Sequence, residues 1–236
     1  MKKLVITLVV LAALLVGLDL LGRWFAEREV SAGVAGQLPA GASVDTDIHG
    51  FSFLWQAVRG EYPSVTLSAD DLTVQQLTGV SATVDLTDVD LPLSGALSGN
   101  VDALTAARAA GEAVIPAASV STATGGRPVG LAPAPSGSPD EVVISTPVEV
   151  LGQTVTVSAT AGASITDDVL TLRVTQVSAA GTAVPAAVSA DLQGSLSLDL
   201  SLIGVPFPVT DAGVTARDGD LVITATAEDI RADDLR

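Results

Sequence analysis

Alternation constrains this chain more than any other feature. The stretch "SVTLSADDLTV" (64–74) sets Val65, Leu67 and Ala69 against polar partners, and "VSATVDLTDVDLPL" (80–93) does the same with Val80, Ala82, Val84 and Leu86. A period of two sends successive side chains to opposite faces of a strand, so each stretch has one apolar and one polar face. The runs "EVVISTPVEV", "QTVTVSATAGASI", "DVLTLRVTQVSAA" and the closing "DAGVTARDGDLVITATAEDIR" share this habit. Residues 166–168 (Thr-Asp-Asp) and Asp218-Gly219 read as tight turns between neighbouring strands. The expectation is about nine strands and three or four helices. Hairpin-linked strands of this kind make an antiparallel sheet, curved or half-open, with a helix along its concave side.

The interruptions are equally legible. "LTAARAAGEAVIP" (104–116) reads as a bulged strand, because Gly111 interrupts it and Val114-Ile115 close it. Pro116 then opens a short helix over 117–122, since proline suits the first helical turn. The Gly-, Pro- and Ser-rich segment 125–140 reads as a flexible loop and as a boundary between two structural halves. A further helix is expected near 185–193.

The first residues, "MKKLVITLVVLAALLVGLDLLGRWFAEREV", obey a different rule. Lys2 and Lys3, the only lysines, precede an apolar run from Leu4 to Leu18. This is the charged and hydrophobic layout of an export signal. Fifteen helical residues span roughly 22 Å, short of the roughly 30 Å hydrocarbon core, and extension through Asp19 to Leu21 nearly closes the gap. Residues 1–25 are therefore read as an uncleaved signal anchor, with a cleaved signal peptide as the alternative. Residues 26–236 form a single domain outside the membrane. The helix continues over 19–38 with Leu20, Leu21, Trp24, Phe25, Val30 and Val34 as its apolar stripe, until Pro39 and Gly41 stop it. Trp24 and Phe25 suit either an interfacial belt or packing on the first strand.

Composition excludes several functions. A net charge of −16 repels phosphate backbones, so nucleic acid is not an expected partner. Without cysteine there is no thiol chemistry or thiolate metal site. His49 is the only histidine and no G-x-S-x-G elbow accompanies it. No catalytic residue, metal or cofactor is expected. The pairs Asp70-Asp71, Asp167-Asp168 and Asp233-Asp234 read as solvated turns or termini.

The aromatic residues are unevenly spent. Four of the seven, Phe51, Phe53, Trp55 and Tyr62, lie within the fourteen residues "HGFSFLWQAVRGEY" (49–62). Read as a strand, the segment places Phe51, Phe53 and Trp55 on one face. Two readings follow. The rings supply bulk to a core otherwise made of small side chains, or they line an apolar groove fit for acyl chains, with Phe207 as a further wall residue. Arg59 would then meet a lipid phosphate at the groove mouth, or pair with Glu61.

"GFSFLWQAVRGEY" followed by "SVTLSADDLTV" resembles the signature of the LmeA-like family, exported actinobacterial phospholipid-binding proteins. Gly50, Phe51, Phe53, Leu54, Gln56, Gly60 and Tyr62 match the family pattern, while Ser52 stands where a proline is usual. "VIPAASV" (114–120) and "IGVPFPVTDAGVTARDGDLVITA" (203–225) are similar to later family blocks. The resemblance implies a non-enzymatic periplasmic protein at the plasma membrane that binds phospholipid and supports lipomannan maintenance beside envelope glycosyltransferases. It also implies a curved antiparallel sheet around a long helix, as in tubular lipid-binding folds. The expected lipid-binding residues are Phe51, Phe53, Trp55, Arg59, Tyr62 and Phe207. The alternative is an envelope scaffold or adhesion module with a filled core.

Overall fold

The computed structural model describes residues 2–36, 42–92, 94, 103–138, 140–150, 153–166, 169–179, 182–183, 198–201 and 209–231. Helix α1 (Lys2–Ala35) leads into strand β1 (Ser43–His49), helix α2 (Phe53–Arg59) and strands β2 (Glu61–Val74), β3 (Leu77–Asp90) and β4 (Thr105–Ile115). After helix α3 (Ala117–Ala123) come β5 (Gly130–Pro133), β6 (Glu141–Val150), β7 (Gln153–Thr166), β8 (Val169–Ala179), β9 (Thr182–Ala183), β10 (Leu198–Ser201), β11 (Asp211–Arg217) and β12 (Asp220–Arg231). The protein is mainly β, as alternation requires. The strands form two antiparallel sheets, one ordered β1-β2-β3-β4-β12-β11 and the other β10-β8-β7-β6-β5, with β9 paired to β8.

Several local readings hold. Pro116 precedes α3, the β11–β12 hairpin turns at Asp218-Gly219 with both residues at positive φ, and β7 returns as β8 after Thr166. The Gly/Pro segment marks the passage from one sheet to the other, but it also contains β5, whose Leu131 is buried opposite Ile144. The helix expected at 185–193 lies outside the described residues.

Asp70-Asp71 is a correction. The pair sits inside β2, not in a turn, where the register slips between Ala69 and Leu72 and Asp71 adopts φ 56°. Aspartate tolerates this left-handed conformation better than most side chains, and the extra residue resets the alternation. Asp88 and Asp229 also take positive φ, 50° and 52°. Beyond them Val89 and Ile230 join the same buried cluster as Ala109 and Ala227 despite the break in odd–even order. Three aspartates thus keep one apolar face continuous along strands too long to hold an unbroken alternation.

The sheet β1-β2-β3-β4-β12-β11, the larger of the two by its described residues, has a core at each end. At one end Val80, Ile115, Leu221, Val214 and Ala216 pack against Val142, Ile144, Val157 and Ala161 of the smaller sheet. Here β11 lies across β5, β6 and β7. At the other end Ile48, Tyr62, Val89, Ala106, Ala109, Ala227 and Ile230 are buried beneath Ala26 of α1 and Phe53 of α2. Helix α1 also seals the free edge of β1. The Ile48 amide donates to Glu27 Oε1 (3.0 Å), the Ser31 hydroxyl donates to Thr46 Oγ1 (2.9 Å), and Arg23 holds Glu27 in place at 2.7 Å. An edge strand covered in this way has fewer unpaired groups to offer another chain.

Candidate functional site

Between the two cores lies a band of different character. Strand register places Leu67, Val84, Gly111, Ala225 and Ala212 side by side in one row across the sheet, and Ala69, Ala82, Ala113 and Ile223 in the next. Directly opposed residues share a face, and these rows share theirs with both cores. All nine residues are only half-buried; along β4 and β12 their same-face neighbours Ala109, Ile115, Leu221 and Ala227 are fully buried, while Val65, Leu72 and Leu86 on β2 and β3 are themselves only partly so. Leu67, Ala69, Ala82, Ala113, Ala225 and Ala212 belong to neither packed cluster among the described residues. Six of the nine positions are Ala or Gly. A β-carbon at Gly111 would come no closer than 3.8 Å to its neighbours, an ordinary contact distance. These nine residues form a broad, low apolar floor and none of them is charged; on β1 the first row ends at Thr46, a polar side chain buried beneath Ser31 of α1.

The aromatic segment beside this floor is not a strand, which corrects the expectation that Phe51, Phe53 and Trp55 align on one face. Residues 53–59 form α2. Ser52 is its N-cap and accepts from the Trp55 amide at 3.3 Å, and Gly60 closes it at φ 74° with its amide on the Gln56 carbonyl. A helical turn separates the rings. Phe53 turns inward against Tyr62, with ring centroids 6.4 Å apart, while Phe51 and Trp55 face outward. Ser52 supplies the capping oxygen here. Gly50 is required for a further reason: at φ 130°, a β-carbon would lie 2.0 Å from Gln56 Nε2.

One aspartate that the sequence reading placed only in the anchor proves central here. Asp19 of α1 accepts from Ser52 Oγ (2.8 Å), the Phe53 amide (3.1 Å) and the Leu54 amide (2.7 Å). A carboxylate at a helix N-terminus satisfies amides that have no partner within the helix. Its only sequence signal is a lone acid inside an apolar run. Replacing Asp19 with Ala is expected to cost about 1–2 kcal/mol, the range for a lost helix cap. Hydrogen exchange at the Phe53 and Leu54 amides should accelerate while β6–β7 amides keep their protection. Unchanged exchange at those two amides would show that α2 is held by packing alone.

Of the expected site residues, Trp55, Arg59 and Tyr62 come together in a cavity of about 550 Å³ that Gln56, Glu61, Pro63, Asp88, Val89 and Asp90 also line. Burial pushes the Tyr62 phenol pKa up. Arg59 takes the ion-pair option: it meets Glu61 Oε2 through both Nη2 (2.8 Å) and Nε (2.9 Å), and its guanidinium stands 5.9 Å from the Trp55 ring. Both partners are more than half exposed, so the pair contributes little to stability. Phe53 lies on the core side of α2 and Phe51 stands clear of the cavity. Phe207 lies outside the described residues. His49 is on the polar face of β1, where it meets Thr66 Oγ1 at 3.0 Å, and Thr66 donates in turn to Asp85 at 2.6 Å.

Fold and site together define an antiparallel β protein with an uncharged apolar floor between two packed ends. A model of the LmeA-like phospholipid-binding family matches residues 17–226, and the chain belongs to that family. Phospholipid binding is the role this membership supports, and the match begins two residues before Asp19. No curated protein and no solved structure matches the chain.

Proposed function

We propose that the protein holds or shuttles one phospholipid, with its acyl chains on the Ala/Gly band and its headgroup near water. The observation that carries this is the half-buried band itself, flanked on the same sheet face by two buried cores. Alkyl chains need width and freedom from charge more than shaped contacts, and a floor of Ala and Gly supplies both. Burying about ten methylenes releases roughly 8 kcal/mol before ordering costs, near the micromolar range. The mechanism is binding without covalent chemistry. Phe53 and Tyr62 close the band at the α2 end as packed core side chains, and Trp55 and Arg59 stand at a polar mouth.

The setting belongs to the same proposal. The apolar run from Leu4 serves as a signal anchor that keeps the domain on the outer face of the plasma membrane, where it supports lipomannan maintenance beside envelope glycosyltransferases. Among the described residues no helix is long and apolar enough to cross a membrane, and the side chains of residues 1–12 lie outside that description. Native mass spectrometry of protein purified without added lipid is expected to show one phospholipid per chain. Apo protein that takes up none from liposomes would sink the carrier reading.

A further inference from the structure

Among the described residues, nothing in the fold covers the outer side of the α1–α2 junction. On α1, Leu14, Leu18, Leu21 and Phe25 recur at helical spacing and share one face, and each is between 57 and 65 % exposed. Next to Leu21, Gly22 receives α2: a β-carbon there would lie 3.3 Å from the Phe53 ring and 3.7 Å from Leu54. Beyond Leu54, the α2 segment exposes Phe51 at 104 %, Trp55 at 64 % and Val58 at 71 %. We propose that Phe51, Trp55 and Val58, fixed beside α1 by Asp19, dock into a phospholipid bilayer as a second membrane contact. This deepens the carrier reading, since a bound phospholipid has to be loaded from a bilayer.

Three observations select a bilayer over a protein partner. The α2 segment is tied to α1 where the apolar run from Leu4 ends, so its exposed rings continue an already apolar surface. Each of the two tryptophans carries an arginine against its ring, Arg28 at 5.4 Å from Trp24 and Arg59 at 5.9 Å from Trp55. Tryptophan favours the headgroup level, and guanidinium pairs with phosphate. Finally, a chain of net charge −16 whose Arg59 is already paired with Glu61 offers little general attraction to anionic lipid, so contact has to come from a local apolar insertion. The rings would then reach about 5–10 Å into the headgroup–acyl boundary.

The test uses the full chain in phosphatidylcholine vesicles that carry brominated acyl chains. In Trp24→Phe, Trp55 is the only tryptophan; its emission is expected to shift to the blue and to be quenched. In Trp55→Phe, Trp24 reports on α1 alone. Quenching of Trp24 without quenching of Trp55 would overturn the proposal, and so would quenching of neither. A blue-shifted, unquenched Trp55 that depends on protein concentration would instead place a second copy on this face and likewise overturn it. The Phe51→Ser/Val58→Ser variant separates docking from carriage. Lipid loaded from detergent micelles should remain bound, while uptake from vesicles should fall about tenfold or more, given the apolar area removed. Unchanged vesicle uptake counts against docking; loss of the micelle-loaded lipid counts against the carrier reading.

Discussion

Gly111→Phe is expected to empty the protein of phospholipid and leave it folded. Gly111 lies in the middle of the larger sheet, beside Val84 on one strand and Ala225 on the other. Its missing side chain would meet Val84 Cγ2 at 3.9 Å and the Ala225 carbonyl oxygen at 3.8 Å, so a ring can start from this position without a backbone clash. Glycine in a strand interior also carries an entropic cost of about 0.5–1 kcal/mol that any other residue relieves. Thermal stability should therefore hold or rise slightly while the ring occupies the space of an acyl chain. Native mass spectrometry and a melting curve on the same sample distinguish the outcomes. A densely filled interior would instead lose about 1–3 kcal/mol to overpacking. That loss, with lipid content unchanged, would favour the filled-core scaffold.

Leu221→Ala should do the opposite. Leu221 is 1 % exposed and lies between Ile115 and Ala216 at the end of the larger sheet that packs on the smaller one. Truncating a leucine buried to this degree costs about 3–4 kcal/mol, because the cavity cannot collapse between two sheets. For a domain of this size that lowers the melting midpoint by roughly 10 °C. Leu67→Ala removes the same atoms from the half-buried band and should cost less than half as much. Equal losses at the two sites, measured by denaturant unfolding, would mean that the band is packed as tightly as the core.

Much of this architecture can be read in the chain before any coordinates. The strands were legible because alternation is a local property: Val65, Leu67 and Ala69 declare a face without reference to anything distant. Pro116, Asp218-Gly219 and the return after Thr166 are local in the same way. The aromatic segment was not. "GFSFLWQAVRG" has no decisive period, and what makes it a helix is the Ser52 cap, the left-handed Gly60 and the carboxylate of Asp19, thirty-three residues away from Ser52.

Asp71 reads as a turn residue in the sequence for a related reason. Aspartate is favoured in turns because it tolerates positive φ, and the same tolerance lets Asp71, Asp88 and Asp229 reset a strand. Only a partner strand shows which use applies.

By itself, then, the order of residues determined a mainly antiparallel β protein, its hairpins and its short proline-led helix, along with an acidic, cysteine-free chemistry and a likeness to phospholipid binders. The likeness rests on the matched motif residues between Gly50 and Tyr62; the others follow from periodicity, φ preference and composition, which act within a few residues. Tertiary structure alone decided that the strands divide into two sheets, that Phe53 turns inward while Phe51 and Trp55 face out, and that small side chains from five strands line up into one floor. Those outcomes depend on register and on contacts between residues far apart in the chain, where no local preference operates.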